Sequence, residues 1–186
     1  MSGYELRGFR VAAVIVVALI AAAAVWYFVI RDSGGSDEPK VTPNKVGPVA
    51  ATRGDVADLS KKLDQPIYWA GNQPGTTDLE LTETADGNVF VRYLTKNAPI
   101  GVGKPNYLTI GTYPAADATK ALRGIAKQPD ATKKDIPNDG IAVQNASAPT
   151  SVYVAFPGDD VEIEVFDPDP TKALDLATSG DIKAVR

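Results

Sequence analysis

The chain contains no histidine, no cysteine and a single methionine. Without His there is no imidazole general base and no Ser-His-Asp triad. Without His and Cys together, the usual ligands of zinc, haem and iron–sulfur clusters are missing, and so is a thiol nucleophile. No disulfide can staple the fold, so its core must suffice. Outside a cell, an absence of Cys fits a bacterial envelope protein better than a eukaryotic secreted one. Neither standard glycine-rich phosphate loop is present. Positive charge is also in short supply: 19 basic residues stand against 23 acidic ones, a net charge of −4. Three of the basic residues but one of the acidic ones fall before position 32, so the rest of the chain is more acidic still. An acidic domain is a poor partner for nucleic acid or for an anionic membrane face. Any enzyme built on this chain would have to use carboxylates, Lys, Ser, Thr or Tyr.

What the chain does have is one long apolar run. Val11 to Ile30 reads VAAVIVVALIAAAAVWYFVI, with no charge, Gly or Pro. As a helix it would be about 30 Å long, the thickness of a bilayer's hydrocarbon core, with every backbone polar group satisfied internally. The run predicts a transmembrane helix over 11–30 after a tail of residues 1–10. Arg7 and Arg10 precede it and Arg31 follows it, which by the positive-inside rule places the N-terminus in the cytoplasm and the rest outside. Trp26, Tyr27 and Phe28 sit at the far end, where aromatic rings favour the headgroup region. A cleaved signal peptide would need a small-residue cleavage site, and Ala21–Ala24 is followed by the apolar VWYFVI. A lipoprotein anchor would need a Cys.

Residues 31–54 carry Gly34, Gly35, Pro39, Pro43 and Pro48 among polar residues with no apolar period, which predicts a flexible linker. From Asp55 to Arg186 the pattern predicts one α+β domain: a mostly antiparallel sheet containing two hairpins, with helices packed on one face. Asp55 reads as the N-cap of a helix over 56–63, and Ile67–Ala70 as a short strand. Asp86-Gly87 joins two alternating runs as a hairpin, and Tyr107–Ile110 resumes the sheet before Gly111–Pro114 turns the chain. Ala118, Ala121, Leu122 and Ile125 form the stripe of a helix over 115–127. Residues 128–139 read as a polar loop, 141–145 as a strand, and Val152–Phe156 with Val161–Phe166 as a second hairpin. Asp169 caps a helix with Pro170 at its first position, Gly180 ends it, and Ile182–Val185 adds an edge strand.

An internal duplication is one reading of these halves. Val89-Phe90-Val91-Arg92-Tyr93 resembles Val152-Tyr153-Val154-Ala155-Phe156, and Thr119-Lys120-Ala121-Leu122 is identical to Thr171-Lys172-Ala173-Leu174. Convergent strand and helix composition is the other.

Two groups of residues have site character. Among the aromatics, Trp69, Tyr93 and Tyr113 are candidates to line a binding groove, although aromatics at strand positions also build cores. Among the acids, Asp159, Asp160, Glu162 and Glu164 are candidate oxygen ligands for a cation, within an acidic hairpin over 159–169. No Asp-x-Asp-x-Asp-Gly loop accompanies them, and a solvated sheet face explains them better than a metal site does. No cofactor is implied.

Pro66-Ile67-Tyr68-Trp69-Ala70-Gly71, Val91-Arg92-Tyr93-Leu94 and Thr109-Ile110-Gly111-Thr112-Tyr113-Pro114 resemble recurrent stretches of uncharacterised single-span, membrane-anchored envelope proteins of high-GC Gram-positive bacteria. The likeness covers roughly 55–127 and extends to the order of tail, span, linker and small domain. It implies a location and an architecture, and carries no activity with it. The expectation from sequence is a membrane-tethered extracytoplasmic binding or structural module of the cell envelope. It would meet the bilayer through residues 11–30 and an envelope protein or wall component through its domain. The other expectation is a carboxylate- or metal-dependent envelope enzyme using the acidic hairpin.

Overall fold

Thr52, not Asp55, opens the first helix. Its side chain accepts the Asp55 amide while Asp55 accepts the Thr52 amide at 2.7 Å, a reciprocal capping box that satisfies two otherwise unpaired donors. The structure, a computed structural model, describes residues 47–185. The tail 1–10, the apolar run 11–30 and most of the linker lie outside the described residues. Among the described residues no helix is long and apolar enough to cross a membrane. Residues 47–101 and 105–185 belong to one unit. It runs β1 (Val49–Ala51), α1 (Arg53–Leu63), β2 (Ile67–Trp69), β3 (Thr76–Glu83), β4 (Val89–Thr95) and β5 (Thr109–Pro114). Then come α2 (Ala118–Ile125), β6 (Ala131–Ile136), β7 (Gly140–Asn145), β8 (Ser151–Ala155), β9 (Val161–Phe166), α3 (Pro170–Thr178) and β10 (Lys183–Val185). The stretch expected to be linker up to residue 54 therefore ends earlier, because β1 pairs with β3 and α1 begins at Arg53.

Eight strands form one antiparallel sheet in the order β1-β3-β4-β5-β9-β8-β7-β6, and β10 pairs with β2 in a separate two-stranded sheet. The fold is thus α+β, with a large antiparallel sheet and three helices. Both expected hairpins are present, as β3–β4 and β8–β9. Two local expectations change. Gly111–Pro114 continues β5, paired along its whole length with β9, instead of turning the chain. Residues 131–136 form the edge strand β6, whose sequence ATKKDI is almost wholly exposed. An edge strand buries little and uses Lys to discourage further pairing, so it shows no apolar alternation to read.

The helices do not share one face. Because side chains alternate along a strand, β9 sends Val161, Ile163 and Val165 to one side and Glu162, Glu164 and Phe166 to the other. The first side holds the main core, where Val152, Val154 and Ala142 meet Ala173 and Ala177 of α3, Val56 and Leu59 of α1, and Ile67 and Tyr68 of β2. The small sheet is tied to this side by two polar contacts: the Tyr68 amide donates to Thr112 Oγ1 at 3.0 Å, and the Ala70 amide to the Tyr93 hydroxyl at 2.6 Å. Helix α2 contacts β7, β8 and β9 from the second side. There Leu122 and Ile125 cover Ile141, Val143 and Ala155, which are buried yet stand outside the main core. The expectation of helices on one face is corrected accordingly. The apolar stripe of α2 was legible, but which side of the sheet it would cover depends on strand register.

Candidate functional site

The second side of the sheet has three zones. Helix α2 covers β7 and β8. Over β3 and β4, Glu80 and Arg92 form a buried ion pair at 2.6 Å, Glu80 also accepts the Gly101 amide at 2.6 Å, and Arg92 lies 5.4 Å from the Tyr107 ring. Between these zones runs a strip of polar side chains on β5, β9 and β8: Tyr113, Glu162, Glu164, Tyr153 and Ser151.

Register builds the strip. Tyr113 stands opposite Glu162, Gly111 opposite Glu164, and Tyr153 opposite Glu164 on the far side. Opposed and diagonal residues on one face of an antiparallel pair lie within side-chain reach. Gly111 is the hinge of the arrangement. A Cβ there would come within 2.9 Å of the Tyr113 ring and hydroxyl, so only glycine lets that ring lie back along its own strand. In that pose the Tyr113 hydroxyl donates to Glu164 Oε2 at 2.5 Å, and Phe90, opposite Gly111, meets the ring edge-on at 5.7 Å. Ser151 donates to Glu164 Oε1 at 2.6 Å, so both oxygens of this carboxylate are held.

Glu162 has a different environment. Among the described residues its carboxyl makes neither a hydrogen bond nor an ion pair. Burial, and then the neighbouring charge of Glu164, push its carboxyl up to about 7. Burial and the same two carboxylates raise the Tyr113 and Tyr153 phenols far above their ordinary value, so both remain protonated donors. Tyr153 is 9% exposed, and its hydroxyl has no partner among the described residues. Glu162, Glu164 and Tyr113 are each partly exposed, so the strip opens to solvent.

The sequence-predicted candidates separate on this frame. Tyr113, Glu162 and Glu164 come together. Tyr93 is a core residue on the opposite side of the sheet, 3% exposed, its phenol raised by burial to about 12. Trp69 is half-buried at the end of β2, packed against the main core with the Arg53 guanidinium 5.7 Å from its ring. The three aromatics therefore line no common groove. Asp159 and Asp160 sit in the β8–β9 turn, away from the two glutamates: Asp159 accepts the Tyr68 hydroxyl and Asp160 the Asp117 amide. Among the described residues no group of three or more His, Cys, Asp or Glu is placed to hold a metal ion. Sequence reasoning missed Ser151, whose alternation with Val152 was the signal available.

A cleft of about 590 Å³ lies beside this turn, lined by Asp117, Lys120, Arg123, Lys127, Asp159 and Asp160 among others. Its three cations and three carboxylates balance, which gives it no preference for a charged ligand of either sign. No protein-family model, curated protein or solved structure matches the chain.

Proposed function

We propose that this protein is an extracytoplasmic binding module of the cell envelope, held to the membrane by residues 11–30 with its N-terminus in the cytoplasm. The uncharged apolar run and its flanking arginines support the tether and its direction. The observation that carries the binding role is the strip on β5, β8 and β9. It presents the partly exposed Glu162, Glu164 and Tyr113, fixed by sheet register, and among the described residues no carboxylate group is placed to hold a metal. Rigid strands hold such groups ready for a ligand at little entropic cost. Two measurements test the placement. Alkaline washing of membranes should leave the full-length chain in the pellet, and protease added to intact, wall-stripped cells should degrade the domain. Release by alkali or protection from protease contradicts the proposal.

A second reading has one observation in its favour. Glu162 and Glu164 are neighbouring carboxyls in unlike environments, one raised to about 7 and the other held by two hydroxyl donors. Such a pair can divide proton donor and ionised carboxylate between them, as glycoside-cleaving enzymes do. Hydrolysis of wall glycan by the purified chain, lost in Glu164→Gln, would favour this reading over simple binding.

A further inference from the structure

The two zones of buried acid on the second sheet face are balanced differently. On β3 and β4, Glu80 is neutralised within the fold by Arg92. The stretch of β8 that resembles β4 places Ala155 where β4 has Arg92, and Ala155 points to the same face, fully buried under α2. Neither Glu162 nor Glu164 has an ion pair among the described residues. The strip therefore carries two acids on adjacent positions of one strand face and lacks the cation that the other half supplies.

The remaining walls suit a particular kind of cation. Tyr113 and Tyr153 flank the acids from the two neighbouring strands, and their aromatic surface attracts an ammonium group through the ring quadrupole. The Tyr153 side chain, nine-tenths buried, shares this face opposite Glu164, and its hydroxyl, without a partner among the described residues, is a free acceptor. Both oxygens of Glu164 already accept a hydroxyl, leaving Glu162 as the carboxylate with open acceptor positions. Two carboxylates are too few for Ca²⁺, which takes six to eight oxygens, and no third ligating acid converges on them. An ammonium needs three acceptors or π faces, and the strip offers Glu162, the Tyr153 oxygen and an aromatic ring.

We propose that the Glu162–Glu164–Tyr113–Tyr153 strip is a binding site for a primary ammonium group, carried by a free amine or by a lysine-type side chain of a partner. This deepens the binding-module reading and rests on it. Protease and alkali address placement independently, so a strip that ignores amines removes only this inference.

The test uses the full chain in nanodiscs with tyrosine labelled at the ring carbon bearing the hydroxyl, observed by NMR at pH 8, where Glu162 is ionised. Titration with methylammonium probes the free amine, and Nα-acetyl-lysine methylamide probes the side-chain form. Saturable shifts of the Tyr113 and Tyr153 signals are expected with at least one of them, the tighter identifying the source. Glu162→Gln should weaken that affinity by about tenfold or more, and Tyr153→Phe by about threefold. Both variants keep the hydrogen bonds of Glu164, and unchanged signals from the other tyrosines will show that they fold. The neutral isostere Nα-acetyl-norleucine methylamide should produce no shift. The proposal is overturned if neither amine shifts the two signals at tens of millimolar, if the isostere shifts them equally, if Glu162→Gln binds as well as the parent, or if Ca²⁺ saturates the site more tightly than either amine.

Discussion

Helices α2 and α3 contain the same tetrapeptide, Thr-Lys-Ala-Leu, and bury opposite parts of it. In α2 Leu122 is fully buried and Ala121 partly so; in α3 Ala173 is fully buried and Leu174 partly so. The strands before them explain the difference. Each helix begins at the same distance from its strand, Thr109 to Ala118 and Val161 to Pro170. Yet aligning the tetrapeptides sets Ile110, which faces the main core, against Glu162, which faces away from it. A one-residue offset in register sends every side chain of a strand to the other face. The two strand–helix units are thus alike in spacing and opposite in facing, and their helices settle on opposite sides of the sheet. The strand order β3-β4-β5-β9-β8-β7 is symmetric about the β5–β9 pair, while the helices are not. Identity over four residues says nothing about which of them a fold will bury.

The sharpest way to break the comparison is to make the first half resemble the second. Arg92→Met leaves Glu80 buried at 2% exposure with only the Gly101 amide for support. Breaking a buried pair from one side should cost about 3–5 kcal/mol, read as a fall in the urea midpoint of the full chain in detergent. Adding Glu80→Gln should recover more than half of that loss, because the uncompensated charge is then gone. If the single variant is as stable as the parent, the pair is not what settles this acid.

Leucine at matched positions gives the next largest effect. Leu122→Ala should cost about 3 kcal/mol, within the range for a fully buried leucine, and Leu174→Ala about 1 kcal/mol. Equal losses in urea unfolding would mean that the two helices bury the tetrapeptide alike. Trp69→Ala belongs between these values, at about 2 kcal/mol, since the ring is half-buried against the core and partly covered by Arg53.

The sequence made the elements legible where local chemistry decides them. Asp169 with Pro170 announced α3, Asp86-Gly87 announced the β3–β4 turn, and the stripe through Leu122 and Ile125 announced α2. It was silent where partners decide. Thr52 caps α1 because Asp55 sits at the third helical position to reciprocate, so the acid that resembles a cap is its second member. Strand β6 follows no period because one of its edges is open. Of the candidate site, Tyr113, Glu162 and Glu164 were visible as residue types. That Gly111 lets Tyr113 reach Glu164, and that Tyr93 belongs to the other side of the sheet, follow from register and required coordinates.

One expected effect has the opposite sign. Glu162 takes up its proton at about 7 in the folded chain, raised by burial and by Glu164 from an ordinary value of 4.5. Between those pH values the folded state holds more protons than the unfolded state, so stability falls as pH rises from about 4.5 to about 7 and is level beyond. The full shift would amount to roughly 3 kcal/mol, and partial exposure of the side chain reduces it to about 2 kcal/mol. Glu162→Gln removes the titration without changing shape or losing a hydrogen bond. It should therefore be about 2 kcal/mol more stable than the parent at pH 8 and indistinguishable from it at pH 4, by urea unfolding at both. The corresponding substitution in the first half, Glu80→Gln, has no such gain to make, because it removes a carboxylate that is already compensated by its ion pair with Arg92. A Glu162→Gln chain that is less stable than the parent at pH 8 would mean that this carboxylate is compensated after all, and the contrast between the two halves of the sheet face would go with it.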